Sequence, residues 1–267
     1  MLISNWLKHA ETQLKDTGIS TARLDSLVLL SDTLEHDKSW LLSHPDYELQ
    51  GSILENLNIK VVQRAQHAPL AYIRGHAEFY GREFYVNKHA LVPRPETETI
   101  IELLKSLQLP AGTRILDLGT GSGCIAITTA LELPNTHVSA CDIDPNCLEI
   151  ARQNATKLTA TVAFFVSDLL EHAQPQDLLL ANLPYVPDDF TINTAATHEP
   201  ALALFGGPDG LDLYRKLFAQ ISHANWQPQH ILTESLPLQH SELVKIAVTA
   251  GFVLKTTDDF IQVFTRK

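Results

Sequence analysis

Cysteine is scarce in this chain: Cys124, Cys141 and Cys147 are the only three in 267 residues, and no two form a Cys-x-x-Cys pair. An odd, unpaired set argues against a disulfide framework and against a structural zinc site. It reads instead as small apolar residues kept in a reducing compartment. The twelve histidines are scattered, with no His-Glu-x-x-His and no Cys/His cluster, so no metal is expected. Long apolar runs are also missing. No stretch approaches the roughly 18 residues a membrane-spanning helix needs, so no membrane association is expected. The N-terminus lacks the charged-then-apolar layout of a secretion signal, and a cytoplasmic location is expected. Positive charge is short as well: 20 Lys and Arg stand against 31 Asp and Glu, a net charge of -11. Nucleic-acid affinity rests on cations that neutralise phosphates, and no basic run is present. No direct nucleic-acid binding is therefore expected. No internal repeat stands out, and a monomer is expected.

What is present is core material. The apolar fraction is 45% and the mean hydropathy is -0.02, values ordinary for a globular protein. The first 75 residues read as a small all-α domain. Ser20 or Thr21 is a plausible N-cap for a helix carrying an apolar stripe of Leu24, Leu27, Val28, Leu30 and Leu34. A second helix is expected over 47–66, with Leu54, Leu57, Val61 and Val62 on one face. Residues 76–92 turn aromatic and β-prone, with Gly81 at a turn position, and read as a β-hairpin linking two domains. Helix resumes over 96–107.

From residue 113 the pattern alternates. Strands are expected at 114–118, 137–141, 162–166, 177–181 and 230–233, with helices at 124–133, 145–158, 211–224 and 241–250. Such alternation implies a parallel sheet with helices on both faces, here over 93–267. The last two strands, 252–255 and 260–265, are too close for a crossover helix and should form an antiparallel edge hairpin.

Two stretches carry chemistry. Gly119-Thr120-Gly121-Ser122-Gly123 lies between a strand and a helix, where glycine permits close backbone approach to a ligand and the helix start offers free N–H groups. The spacing is neither the Gly-x-Gly-x-x-Gly of dinucleotide folds nor a P-loop, although a nicotinamide cofactor remains the main competitor. Asp142 ends the next strand, where a carboxylate can accept hydrogen bonds from both ribose hydroxyls of a nucleoside. Asp117 is placed either to orient the loop or to meet a cationic ligand amine. This combination resembles the class I S-adenosylmethionine methyltransferases, a Rossmann-like fold with a mostly parallel seven-stranded sheet. By that resemblance Ser167-Asp168-Leu169 stands where the family contacts adenine, and Leu169 replaces a common aromatic.

The second stretch is Asn182-Leu183-Pro184-Tyr185, at the C-terminal end of the fourth strand, where open α/β sheets bind ligands. A planar –NH2 group is a poor nucleophile because its lone pair is delocalised. The Asn182 side-chain carbonyl and the Leu183 backbone carbonyl can each accept one N–H. Held so, the nitrogen presents its lone pair, and charge developing on it is stabilised. Pro184 fixes the turn. Tyr185 offers a flat face for stacking. The motif alone leaves two substrate classes open. Asn-Pro-Pro-Tyr occurs in enzymes acting on adenine or glutamine, and Asn-Leu-Pro-Tyr looks like the ribosomal RNA adenine dimethyltransferases.

The separation lies upstream. Residues 69–98, from Pro-Leu-Ala-Tyr-Ile-Arg-Gly to Pro-Arg-Pro-Glu-Thr-Glu, closely resemble the release factor glutamine methyltransferases (the HemK/PrmC family). Residues 198–211, His-Glu-Pro-Ala-Leu-Ala-Leu-Phe-Gly-Gly-Pro-Asp-Gly-Leu, resemble a second segment of the same family. The resemblance implies transfer of a methyl from S-adenosylmethionine, leaving S-adenosylhomocysteine, to the glutamine amide in the Gly-Gly-Gln loop of peptide chain release factors. It implies a release-factor-binding domain at 1–75 and catalytic residues Asn182, Leu183, Pro184 and Tyr185. Cofactor contacts would come from Gly119, Thr120, Gly121, Ser122, Gly123, Asp142, Leu169 and Asn182. The 93–98 stretch would help wall the active site.

Overall fold

A computed structural model describes residues 1–267. The chain divides into two units, Met1–Gly75 with Asn193–His198, and His76–Ile192 with Glu199–Lys267.

The first unit is helical: α1 (Ile3–Asp16), α2 (Ala22–Leu34), α3 (Lys38–Ser43), α4 (Gly51–Ala65) and α5 (Leu70–Arg74). Helix α1 buries Ile3, Trp6, Ala10 and Leu14, a spacing that puts all four on one face. Asp37 caps α3, its carboxylate accepting the Trp40 N–H at 2.7 Å. On α2 the expected stripe holds in part: Leu30 is fully buried and Leu34 packs against the core, but Leu24 is 50% exposed, and Ala22, Asp25, Ser26 and Leu29 are buried as well. The helix is turned because its polar residues have partners inside. Arg64 Nε reaches Asp25 at 2.7 Å, and Ser26 donates to the Ala22 carbonyl at 2.8 Å. Thr21 takes the N-cap position, but its hydroxyl bonds Asp25 rather than a backbone N–H. The second expected helix starts at Gly51 rather than 47, and Val62 is 46% exposed.

The second unit opens with the hairpin β1 (His76–Phe79) and β2 (Arg82–Tyr85). Tyr80 and Gly81 both have positive φ, 51° and 67°, as a two-residue hairpin turn requires. The hairpin is built into this unit: Phe79 and Phe84 are fully buried in a cluster with Ile100, Ile101, Leu104 and Ile115.

A seven-stranded sheet follows, β3 (Arg114–Leu118), β4 (His137–Asp142), β5 (Ala163–Val166), β6 (Leu178–Ala181), β7 (His230–Glu234), β8 (Phe252–Asp258) and β9 (Ile261–Arg266), interleaved with α6 (Glu98–Ser106), α7 (Cys124–Glu132), α8 (Pro145–Lys157), α9 (Asp212–His223) and α10 (His240–Thr249). The order is β5-β4-β3-β6-β7-β9-β8, with β9 antiparallel to both its neighbours and the rest parallel. The α/β class, the parallel core and the antiparallel edge hairpin all stand as expected. The central strands are continuous apolar runs because both faces are covered; every residue of β6 is buried. The chain winds outward through β3, β4 and β5, then returns to β6 beside β3. That reversal opens a crevice beyond the C-terminal ends of β3 and β6.

Candidate active site

Both chemistry-bearing stretches emerge at this crevice, because Leu118 and Ala181 are register partners at the ends of β3 and β6. On the β3 side, Gly119, Gly121 and Gly123 all have left-handed backbones, with φ of 66°, 55° and 81°. Gly123 starts α7, and a Cβ there would lie 2.9 Å from both Ala151 Cβ and Ile127 Cδ1. Glycine at 123 therefore lets α7 and α8 close on each other. At Gly121 a Cβ would meet nothing within 4 Å, so the loop faces open space.

Three side chains hold the loop. The Thr120 hydroxyl donates to Asp117 Oδ2 at 2.6 Å. Asp142 Oδ2 accepts the Gly121 N–H at 2.9 Å, and its Oδ1 accepts the Asp144 N–H at 2.9 Å. Asn154, buried on α8, donates to the Ser122 carbonyl at 2.9 Å and also bonds the Tyr85 backbone, which ties the loop to the hairpin. Asp117 thus serves to orient the loop, the first of its two expected roles. Burial pushes its carboxyl up to about 7, against the Thr120 bond that pulls it down. Burial also raises Asp142, against the backbone N–H groups it accepts. Leu169 follows β5 with φ 53°, is 7% exposed, and packs in the core cluster with Leu118, Cys141 and Leu183. Its carbonyl accepts the Ser167 hydroxyl at 2.9 Å, and Ser167 N–H donates to Asp142 O at 3.1 Å.

The tetrapeptide is held from more directions than its sequence suggests. Asn182 Nδ2 donates to the Thr97 hydroxyl at 3.3 Å, which brings the 93–98 stretch to the site. Tyr185 donates its hydroxyl to Glu234 Oε1 at 3.1 Å. The Tyr214 hydroxyl, fully buried on α9, accepts the Leu183 N–H at 3.3 Å and faces the carbonyls of Ala181 at 3.0 Å and Glu234. It bridges the ends of β6 and β7. Leu183 is 2% exposed. A Cβ placed on Gly119 would touch its Cδ2 at 3.4 Å, so loop and tetrapeptide are in contact.

Below the tetrapeptide lies the Gly206–Leu211 segment. Val186 N–H donates to Leu204 O at 2.9 Å, and Gly206 N–H to Val186 O at 2.9 Å. Gln239 Nε2 donates to the carbonyls of Tyr185 at 2.7 Å and Asp209 at 2.8 Å. The contact is so close that a Cβ on Gly206 would lie 2.3 Å from the Pro184 carbonyl oxygen, and one on Gly210 would lie 2.0 Å from that of Tyr185. The two segments carrying the family resemblance also meet each other. Glu199 accepts Arg94 Nη2 at 2.6 Å and the Val92 N–H at 3.1 Å.

Glu234 is a second strongly perturbed carboxyl at the site, beside Asp117. It is fully buried, and Oε2 has no hydrogen-bond partner. Burial pushes its carboxyl up to about 7 and nearby Glu96 adds to this, while Thr97, Tyr185 and Asn182 pull it down. Burial raises the Tyr185 and Tyr214 phenols as well. Sequence reasoning missed Glu234, Tyr214, Asn154 and Gln239. For Glu234 a signal existed: it is a carboxylate ending the apolar strand His-Ile-Leu-Thr-Glu.

Against known proteins, residues 5–75 match the PrmC N-terminal domain and residues 97–199 match the methyltransferase small domain. The release factor glutamine methyltransferase of Koribacter versatilis is 41% identical over 223 residues, covering 80% of this chain and 78% of that protein. The protein of the same name from Bacillus anthracis is 34% identical over 263 residues, covering 94% and 92%. Among solved structures, a methyltransferase from Pyrococcus furiosus superposes with a TM-score of 0.53 at 17% identity, over 79% of this chain and 98% of that one. That likeness speaks for the fold.

Proposed function

The chain belongs to the release factor glutamine methyltransferase family, and from that membership we propose that it methylates the side-chain amide nitrogen of the glutamine in the Gly-Gly-Gln loop of peptide chain release factors. The choice of glutamine rests on that membership, and the observation that carries transfer to a planar nitrogen is the orientation of Asn182. Its Nδ2 is engaged with Thr97, which leaves Oδ1 as an acceptor for a substrate N–H. The second N–H would go to the Leu183 carbonyl. Leu183 is pinned through its own N–H by Tyr214. Two acceptors at fixed positions suit a planar –NH2 and hold its lone pair toward the crevice. Tyr185, tied to Glu234, would cover the amide plane.

The residues present fit S-adenosylmethionine. Gly121 faces open space, and Asp142 has used only part of its acceptor capacity on Gly121 and Asp144. When bound, that cofactor supplies an electrophilic methyl on a sulfonium and departs as S-adenosylhomocysteine. Gly119 to Gly123 would cradle it, Asp142 would accept its ribose hydroxyls, and Leu169 would pack near its base. The amide nitrogen becomes N-methylated and gives up one proton to water. The helical unit, 1–75, would grip the release factor body. No helix is long and apolar enough to cross a membrane; a cytoplasmic monomer that binds no nucleic acid directly fits the acidic charge.

The test is methyl transfer to three purified substrates: a release factor, the same factor with its Gly-Gly-Gln glutamine replaced, and ribosomal RNA. Mass spectrometry should find one added methyl, on that glutamine. Methylation of the RNA with none on the release factor would overturn the reading in favour of the adenine class.

A further inference from the structure

We propose that Glu234 is a positioning residue for the transferred nitrogen: its carboxyl fixes the Asn182 amide in the orientation that turns Oδ1 toward the substrate, and holds Tyr185 by its hydroxyl. The inference rests on the proposed function above and assigns a role to a residue outside the tetrapeptide.

Placement comes first. Ala181 and Thr233 are register partners on adjacent parallel strands, so Asn182, just past β6, lies next to Glu234, the last residue of β7, at the crevice. Glu234 is fully buried and forms no ion pair with any Lys or Arg. A buried carboxyl without a cation is a liability to the fold, so stability does not explain it. Its neighbours do. Tyr185 donates to Oε1 at 3.1 Å. Thr97, whose hydroxyl accepts Asn182 Nδ2 at 3.3 Å, and Asn182 itself both favour the charged form of the same carboxyl. Oε2 has no partner.

The two ends of an Asn amide are nearly isosteric, so only hydrogen bonding selects between them. Flipping Asn182 would set Oδ1 against an acceptor-only carboxylate. Ionised Glu234 therefore enforces the useful orientation. Protonated Glu234 can donate, and it tolerates the flipped amide. The negative charge also favours the cationic character that the nitrogen gains as it is methylated. Both effects make the anion the active form.

The groups facing Glu234 set where it ionises. Glu96, in the 3-10 turn before α6, opposes the anion, as does burial. Tyr185, Asn182 and Thr97 favour it through hydrogen bonds. Tyr214 on α9 and Cys124 on α7 also sense its charge. Turnover should accordingly rise with pH through about 7 and level off above it.

The experiment compares the full-length wild type, Glu234→Gln and Glu234→Asp. It reads kcat and KM toward release factor from about pH 5.5 to 9, with cofactor affinity measured by titration. Wild-type kcat should fall about tenfold per pH unit below the inflection. Glu234→Gln should lose about 100-fold in kcat and show a flat profile, with cofactor affinity unchanged. Glu234→Asp, which keeps the charge but withdraws it by one methylene, should lose kcat and retain the inflection. Wild-type kcat in either variant, or an inflection that survives in Glu234→Gln, would overturn the proposal. Should Glu234→Gln fail to fold by circular dichroism, Glu234→Asp carries the test by its kcat. A wild type that methylates no release factor at any pH would instead sink the proposed function and is read separately.

Discussion

Gly210→Ala isolates the support under the tetrapeptide. Gly210 has φ 78°, and a Cβ built there lies 2.0 Å from the Tyr185 carbonyl oxygen and 2.3 Å from Gln239 Nε2. A carbon and an oxygen need about 3 Å at least, so either Tyr185 or the 209–211 backbone must yield by roughly 1 Å. The left-handed conformation adds about 1–2 kcal/mol for any residue with a Cβ. Losing the Gln239 bond to the Tyr185 carbonyl, now 2.7 Å, adds about 1 kcal/mol. Stability should therefore fall by about 2–4 kcal/mol. A 1 Å misplacement of the tetrapeptide should lower kcat by roughly 100-fold. Gly112→Ala is the control. Its φ is 79°, yet a Cβ there meets nothing within 4 Å. It carries the backbone strain alone, about 1–2 kcal/mol, and should leave kcat intact. Urea denaturation gives the stabilities, and kcat is compared at a temperature where both variants are folded. If Gly210→Ala costs no more than Gly112→Ala and keeps kcat within about twofold, the steric argument from these glycines is wrong.

The other expected outcomes concern single side chains. Asn182→Ala should reduce kcat by about 100- to 1,000-fold, as loss of one oxyanion-type contact does; near-normal turnover would remove Asn182 from the chemistry. Asp142→Ala should weaken cofactor affinity in calorimetric titration, since it removes the proposed ribose acceptor and frees the Gly121 N–H. Unchanged affinity would contradict that. Asp117→Asn tests a linkage. Its folded carboxyl sits at about 7 against an ordinary 3.8, so the stability it gives through proton uptake is complete below about 3.8 and lost as pH rises through about 7. The amide variant should therefore outlast the wild type in denaturation at pH 8 by a few kcal/mol, with the lead shrinking as pH falls below about 7 and gone only near about pH 4. Leu183→Pro should keep kcat within a few-fold, because the acceptor assigned to residue 183 is a backbone carbonyl, while costing about 1–3 kcal/mol in urea denaturation for the lost N–H bond to Tyr214. A loss of kcat near that of Asn182→Ala would show that the N–H or side chain is needed.

The sheet was legible because its strands are of the kind that sequence announces. Buried parallel strands such as Leu178–Ala181 are continuous apolar runs, and glycines at 119, 121 and 123 mark a loop that no other residue type would form readily. The tetrapeptide proposed as catalytic stands out in the sequence for the same local reason. What surrounds it does not. Thr97, Tyr214, Glu234 and Gln239 lie between about 30 and 85 residues from their partners and reach them only through the β6–β7 pairing and the packing of α6 and α9. No period of 2 or 3.6 carries such information. The α2 stripe failed at Leu24 for a related reason. Periodicity assumes that polar residues face water, and Asp25 turns inward because Arg64, on another helix, is there to meet it.

The tolerance of the tetrapeptide for leucine follows from these distant supports. A proline at 183 would offer no N–H, and the turn would rest on ring geometry alone. Leucine gives up that rigidity but donates to Tyr214, and its side chain fills the space against Gly119. The same Tyr214 hydroxyl faces the carbonyls of Ala181 and Glu234, so the ends of two strands and the start of the tetrapeptide share one fixed point. Gln239 holds the far end from below through the Tyr185 carbonyl, and Gly206 and Gly210 pack close against the carbonyls of Pro184 and Tyr185. The chemistry proposed for the motif thus depends on backbone carbonyls whose positions are set at both ends by residues outside it. That is why a substitution at Leu183 within the motif should matter less to turnover than one at Gly210 outside it.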